Sequence, residues 1–294
     1  MIVVVCGVTA SGKSHIARRL AELLHADILN GDAFQIYREL QIGVNKPELE
    51  IITKYNYKLI DCLDVTSSFS IADYQSLGRK IVDKSVVNNK DLVIEGGSGL
   101  YLKALLYDYN FSIKNTEYSD NYEDLSNDIL YQLLKDRDID STNTIHINNR
   151  KRVIRALRIC DDSGSKKSEL VNSQKHELIY KDVVFVALNP DRKELYSKID
   201  SRVIEMWNSG LKKEVLCIAK KYGSGLQCLQ AIGYKEVLDG VSKGTSDSQI
   251  IESIQKNTRN YAKRQMTYFN HQLPVIFFKN EEELIDYIRG LKND

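Results

Sequence analysis

The sequence predicts an α/β fold, a parallel sheet flanked by helices and interrupted by a mostly helical insertion. Three observations carry that prediction. Short apolar runs alternate with helical patterns over roughly the first hundred residues and return at Val183–Leu188. The runs are continuously apolar, as strands buried on both faces are. A glycine-rich turn joins the first run to the first helical pattern.

Taken in order, Ile2–Cys6 (IVVVC) reads as a buried strand. Lys13–Leu24 reads as a helix with Ile16, Leu20, Leu23 and Leu24 on one face, following the 3.6-residue period. Ala26–Leu29 is a second strand, Ile71–Val87 a helix, and Asp91–Glu95 (DLVIE) a buried strand ending at paired glycines. From Asn110 to about Asp140 the chain turns polar, with a helical stretch near Leu125–Leu134. Arg150–Cys160 is a basic amphipathic helix and Ser163–Ser173 a Ser/Lys-rich loop. Val183–Leu188 resumes the sheet, and helical patterns follow at Lys193–Trp207, Leu211–Lys221, Gln249–Phe269 and Glu281–Leu291. The expected organisation is a core in two parts, residues 1–109 and 181–294, around an insertion at 110–180.

Composition excludes whole classes. At 294 residues, 43% hydrophobic and 28% charged, the chain is neither disordered nor a disulfide scaffold. Its apolar runs are too short to cross a bilayer, and no charged start with a cleavage site precedes IVVVC; a cytoplasmic, membrane-free protein is expected. With 41 Lys and Arg against 40 Asp and Glu, any nucleic-acid contact must come from local clustering. The 5 cysteines are scattered without a CxxC, which predicts reduced, mostly buried thiols.

The strongest motif is GVTASGKS, Gly7 to Ser14. It fits Gly-x4-Gly-Lys-Ser between a strand and a helix, where backbone amides and the helix N-terminus face an anion. Gly7, Thr9, Ala10, Ser11, Gly12, Lys13 and Ser14 are the candidate phosphate cradle, with Ser14 the magnesium contact. A diphosphate and a triphosphate fit equally well. Asp32, beyond the second strand, lies at the edge where α/β sheets place ligands; it is a candidate base or magnesium partner, or else a turn aspartate. EGGSGLY, Glu95 to Tyr101, allows close backbone approach to a ligand, and serves equally as a plain turn. Glu95 there could instead end a second nucleotide-binding strand, favouring ATP chemistry.

Two basic segments complete the inventory. RKRVIRALR places 5 basic residues between Arg150 and Arg158, with Lys151, Arg155 and Arg158 on one face and Arg152 beside them. Val153, Ile154 and Leu157 can pack beneath. A solvated face, an RNA-backbone contact and an arginine lid over ATP all fit. TRNYAKRQMTYF interleaves Arg259, Lys263 and Arg264 with Tyr261, Tyr268 and Phe269, suited to phosphates and unpaired bases or to a core-facing stripe.

On these residues the sequence resembles the tRNA dimethylallyltransferases. GVTASGKS resembles that family's GPTASGKT, DAFQIYRELQIGVNKP its DSxQxYxxxxIGTAKP, and LIDCLDVTSSFSIADY its LIDxxDPxxxYSAxxF. GGSGLYLKALL is similar to GGTGLYxxAL and RVIRALRI to RxxRALEV; SRVIEMWNSGLKKEV, QAIGYKEV and NTRNYAKRQMTYF follow in family order. Val8, Ala33, Lys58, Ser98 and Tyr268 depart from the usual proline, serine, histidine, threonine and tryptophan. The segment Asn110 to Asn149 is short. Ser98 also occurs in free-adenylate isopentenyltransferases, whereas AIGYK and AKRQ point to the tRNA branch.

The resemblance implies a P-loop NTPase-like fold and a magnesium-dependent transfer from dimethylallyl diphosphate to the adenosine 3′ of the tRNA anticodon, by a monomer. It implies that Lys13, Ser14 and Arg202 hold the leaving diphosphate and that Asp32 is the base. It implies anticodon stem-loop contacts at Asp32, Ala33, Phe34, Gln35, Ser98, Lys151, Arg152, Arg155, Gln230, Gly233, Tyr234, Lys235, Lys263, Arg264 and Gln265, in segments reaching Asn270. A P-loop kinase and a non-catalytic RNA-binding protein are the competing readings.

Overall fold

The computed structural model describes residues 1–109, 122–172 and 177–293. Strands β1 (Ile2–Cys6), β2 (Asp27–Asn30), β3 (Leu92–Gly96), β4 (Val183–Leu188) and β5 (Val275–Phe278) form one sheet in the order β2-β3-β1-β4-β5. Every pairing is parallel, with Ile2 opposite Leu92 on one side and Val183 on the other. Every residue of β1 is buried, the burial on both faces that its unbroken apolar run requires.

The helices are α1 (Lys13–Leu24), α2 (Leu49–Lys54), α3 (Ile71–Val87), α4 (Gly99–Leu106), α5 (Asn127–Arg137), α6 (Ile139–Thr142) and α7 (Arg150–Ser163). Then come α8 (Lys167–Asn172), α9 (Arg192–Asn208), α10 (Leu211–Tyr222), α11 (Tyr234–Ser242), α12 (Asp247–Gln272) and α13 (Glu281–Asn293). Their starts are chemically marked. Ser70 and Asp73 form a capping box on α3, Ser246 and Gln249 one on α12, and Asp191 caps α9, each satisfying amides the first turn leaves free. In α1 the buried face is Ile16, Ala17, Leu20, Ala21 and Leu24. Leu23, expected on that face, is only partly buried against the same core. Leu284, Ile285 and Ile288 of α13 pack into this core too.

The chain divides into two compact units, residues 1–106 with 180–294, and residues 107–179. The second has its own core of Tyr122, Leu130, Leu134, Ile145, Val153, Ile154, Ala156 and Leu157. Several expectations need correction. The helix placed near Leu125–Leu134 is α5, displaced because Ser126 caps it through the Ile129 amide. The segment Ser163–Ser173, expected as a loop, holds α8; Ser173 itself, like the polar start at 110–121, lies outside the described residues. α4, α11 and β5 were not expected. All cysteines are free, but Cys62 and Cys217 are exposed, and only Cys6 and Cys228 are buried.

Candidate active site

The ends of β1, β3 and β2 lie side by side, with Cys6 opposite Gly96 and Asn30 opposite Glu95. The three loops leaving them meet at the carboxyl edge of the sheet. They pass so close that a Cβ on Gly96 would lie 2.9 Å from the Gly31 carbonyl oxygen; only glycine fits there. A Cβ on Gly7 would lie 2.6 Å from the Ser11 Oγ and 3.0 Å from the Lys13 Cβ, so a side chain there would displace the loop's own side chains. Gly12, at φ 86°, turns the chain into α1, a left-handed conformation that glycine adopts without cost.

A cavity of about 350 Å³ opens above this edge, lined by Thr9, Ala10, Lys13 and Ser14 of the glycine loop, by Asp32–Gln35 and by Gly43–Asn45. Arg202 of α9, Gln230, and Tyr261, Arg264 and Gln265 of α12 complete its polar wall, next to Ala231 and Ile232. Ile199, Val203, Met206 and Ile254 give it an apolar side. The adjacent Lys13 and Ser14 thus share one chamber with Asp32 and the distant Arg202.

The electrostatics are tense. Burial, reinforced by Arg202, pulls the Lys13 pKa below its ordinary value, while Glu95 and Asp32 oppose the shift. Burial lowers Arg202 as well, against Asp32 and Glu205. Asp32 is oriented by its own backbone: its Oδ1 accepts from the amides of Phe34 at 2.9 Å and Gln35 at 3.3 Å. The Asn30 side chain accepts from the Asp32 amide at 3.0 Å and donates to the Leu59 carbonyl at 2.8 Å, fixing the approach to the loop.

Glu95 was weighed only for ATP chemistry, and Tyr57, Glu214 and Lys46 were not singled out at all. Glu95 is buried and takes hydrogen bonds from the Ser14 hydroxyl and, at 2.9 Å, from Tyr57. Burial first, then Glu95, pushes the Tyr57 phenol well above its usual pKa. Glu214 of α10 gathers the amides of Gln41, Ile42 and Gly43 at 3.2, 2.9 and 3.3 Å and the Tyr234 hydroxyl. Lys46, its ammonium enclosed, donates to the carbonyls of Tyr37 and Arg38 and to Asp61. Two anchors therefore hold the long loop that follows Asp32.

The candidate RNA-contact residues divide by exposure. Gln230, Lys235, Lys263, Arg264 and Asn270 are exposed, whereas Ala33, Phe34, Gln35 and Ser98 are half-buried. Gly233 and Tyr234 are buried. Gln265 is also buried, accepting from the Thr9 amide at 3.0 Å and donating to the Gly97 carbonyl at 2.8 Å. In the last motif, Arg264 lies over the Tyr261 ring and Arg259 pairs with Asp200. Tyr268 packs where a Cβ on Gly99 would stand, and Phe269 is in the core.

The second unit sorts the basic run. Arg150 donates to the carbonyls of Leu125, Tyr122 and Glu123 and to the Asn127 side chain. Arg158, expected on the free face, is half-buried and pairs with Glu123 at 3.4 Å. The balancing carboxylate comes from another segment, not from within the run. Lys151, Arg152 and Arg155 are exposed.

The sheet and its glycine loop define a P-loop NTPase-like α/β fold. The family described as IPP transferase matches residues 35–272. The tRNA dimethylallyltransferase of Anoxybacillus flavithermus is 37% identical, over 98% of this chain and 96% of that one. That of Bacillus subtilis is 38% identical, over 94% and 90%. The tRNA isopentenylpyrophosphate transferase of Staphylococcus epidermidis superposes with a TM-score of 0.73 at 30% identity, over 99% and 98% of the two chains. A eukaryotic dimethylallyltransferase acting on tRNA shares the fold, with a TM-score of 0.80 at 23% identity over 94% and 73%. The chain belongs to the IPP transferase family, that of the tRNA dimethylallyltransferases.

Proposed function

We propose that the chain transfers the dimethylallyl group of dimethylallyl diphosphate to the exocyclic amine of the adenosine immediately 3′ of the tRNA anticodon, releasing diphosphate. The observation that carries this reading is the opposition of Lys13 and Arg202 to the Asp32 carboxylate around one cavity. Cations suit a leaving diphosphate and a carboxylate suits an amine that must lose a proton. Family relatives named for this transfer support it.

Glycine-loop amides from Gly7 to Ser14 and the N-terminus of α1 receive the diphosphate. Lys13 and Arg202 neutralise it. Ser14 and Glu95 offer hard oxygen donors that suit magnesium, which would add charge stabilisation at the leaving oxygens. Ile199, Val203, Met206 and Ile254 take the five-carbon chain, worth about 3–4 kcal/mol at ~0.8 kcal/mol per buried carbon. The allylic C–O bond breaks with its electron pair going to diphosphate. The adenine nitrogen forms the new C–N bond, and its proton passes to Asp32.

The base must leave its stack to enter, at a cost of a few kcal/mol, roughly, that is lowest in a single-stranded loop. Asp32, Ala33, Phe34, Gln35 and Ser98 form its surroundings. Gln230, Lys235, Lys263, Arg264, Lys151, Arg152 and Arg155 contact the RNA backbone, while buried Gly233, Tyr234 and Gln265 act by holding loops in place. The test is incubation with labelled dimethylallyl diphosphate, magnesium and unmodified tRNA, then nucleoside mass spectrometry. A dimethylallylated adenosine formed without ATP is expected. Phosphoryl transfer from ATP, or modification of free adenylate alone, would refute the reading.

A further inference from the structure

The segment that follows α2 runs as a strap beside β2, the outer strand of the sheet. Lys58 pairs in parallel with Leu29. Its amide donates to the Ile28 carbonyl at 2.8 Å, and its carbonyl accepts from the Asn30 amide at 3.0 Å. The Leu59 carbonyl accepts from the Asn30 side chain at 2.8 Å. Leu59 stands at φ 56°, in the left-handed region, where a bulky side chain is held only when its surroundings dictate it. Tyr57 is pinned twice: its amide donates to the Ile52 carbonyl at 3.0 Å, and its ring belongs to the core that holds Ile28, Ile60 and Val93.

A tyrosine fixed in this way delivers its hydroxyl to one place. Tyr57 donates to Glu95 Oε2 at 2.9 Å, and Ser14 donates to the other oxygen, Oε1. Ser14 lines the cavity, Glu95 stands buried behind it, and Tyr57 stands behind Glu95. A hydroxyl whose proton is spent on a carboxylate has only lone pairs left to offer. Such an oxygen suits a cation better than a phosphate oxygen. Among the described residues no cluster of three His, Cys, Asp or Glu side chains could hold a metal. A magnesium ion here would therefore rely on diphosphate oxygens and few protein donors, so the aim of each donor counts.

We propose that Tyr57 is a positioning residue for the magnesium-bound diphosphate: by holding Glu95, it keeps the Ser14 hydroxyl turned as a metal ligand. The role deepens the transferase reading above, from which it takes the diphosphate. Without the Tyr57 bond one carboxylate oxygen is released, and Glu95 no longer presents Oε1 to Ser14 in a single orientation. Partners that orient a metal ligand from behind act in this way, and losing one costs about 10–100-fold in metal affinity.

The experiment is titration calorimetry of the full chain with inorganic diphosphate, once with magnesium and once with EDTA. Tyr57→Phe keeps the ring in the core and removes only the hydroxyl. Its affinity for diphosphate should fall by about tenfold with magnesium and equal that of wild type in EDTA. In a Ser14→Ala background the same change should cost nothing further, because its effect passes through that hydroxyl. A merely structural loss would weaken binding in EDTA as much as in magnesium. If wild type prenylates tRNA and Tyr57→Phe shows either that uniform loss or none, the positioning role is overturned while the transferase reading stands. If the magnesium-specific loss appears but wild type forms no prenylated adenosine, the positioning role stands and the transferase reading falls.

Discussion

The cavity at the sheet edge and the basic helix of the second unit treat charge in opposite ways. In the cavity, Lys13, Arg202 and Asp32 face a common space, and burial depresses both cations. Their fields converge on that space. In the second unit the cations divide between structure and surface. Arg150 makes four hydrogen bonds to one neighbouring segment, while Lys151, Arg152 and Arg155 point outward from the same helix. A buried charge with an unmet need is a sign of chemistry; an exposed one becomes informative only after its pinned neighbours are set aside.

The largest effect that could break this contrast is at Asp32. Asp32→Asn keeps an oxygen to accept from the Phe34 and Gln35 amides, so the loop is preserved while the proposed base is lost. Prenyl transfer should fall by about 10²–10⁴-fold, with tRNA affinity nearly unchanged because phosphate contacts dominate it. Single-turnover rates and filter binding on the same preparation check both. Equal losses in rate and affinity would mean that Asp32 binds rather than catalyses.

Next in size is a pair of substitutions within the basic run. Arg150→Ala leaves the carbonyls of Leu125, Tyr122 and Glu123 without their donor. It should cost about 1–3 kcal/mol, the range for losing such charge-assisted bonds. Arg155→Ala should leave the melting temperature alone and lower the salt slope for tRNA by about 0.7–0.9. Calorimetry and a salt series distinguish them. If the two swapped roles, the division of the helix into pinned and free cations would be wrong.

How much of this could be read from the chain alone follows from where each signal lies. β1 and α1 were legible because a continuous apolar run, a glycine turn and a 3.6-residue stripe are local patterns. α4 was not: GLYLKALL is buried at six of its eight positions, so it shows no polar face to mark a period. β5 is four residues long and half-exposed at the sheet edge, too short for a pattern to accumulate. α8 reads as loop by its serines and lysines, and the Ser168 bonds that tie it to Asp138 reach back 30 residues. In the site, Lys13 and Asp32 betrayed themselves by standing just beyond strands. Gln265 was reached only through the resemblance, and as an RNA contact; its buried bond to Thr9, 256 residues away, leaves no local mark. Glu214 was equally silent, its amides lying more than 170 residues upstream. Glu95 was noticed only as an acid that could end a second nucleotide-binding strand, and its hydrogen bond from Tyr57 leaves no mark in local spacing.

The smallest expected effect separates the two regions by proton uptake. Lys13 has a depressed pKa in the free protein, so between that value and the ordinary lysine value the unfolded chain holds more protons than the folded one. Stability of the ligand-free protein therefore rises with pH across that window. Diphosphate binding has the opposite sign. The anion draws the Lys13 pKa back up, so binding takes up a proton there, and affinity falls as pH rises by at most about tenfold per pH unit. Titration calorimetry with inorganic diphosphate and magnesium, in buffers of different ionisation enthalpy, measures that uptake. Lys13→Arg removes the titrating group while keeping a cation, and the difference between the two proteins cancels the ligand's own ionisation. An uptake identical in both would assign the proton to another group and leave Lys13 a spectator to its own field.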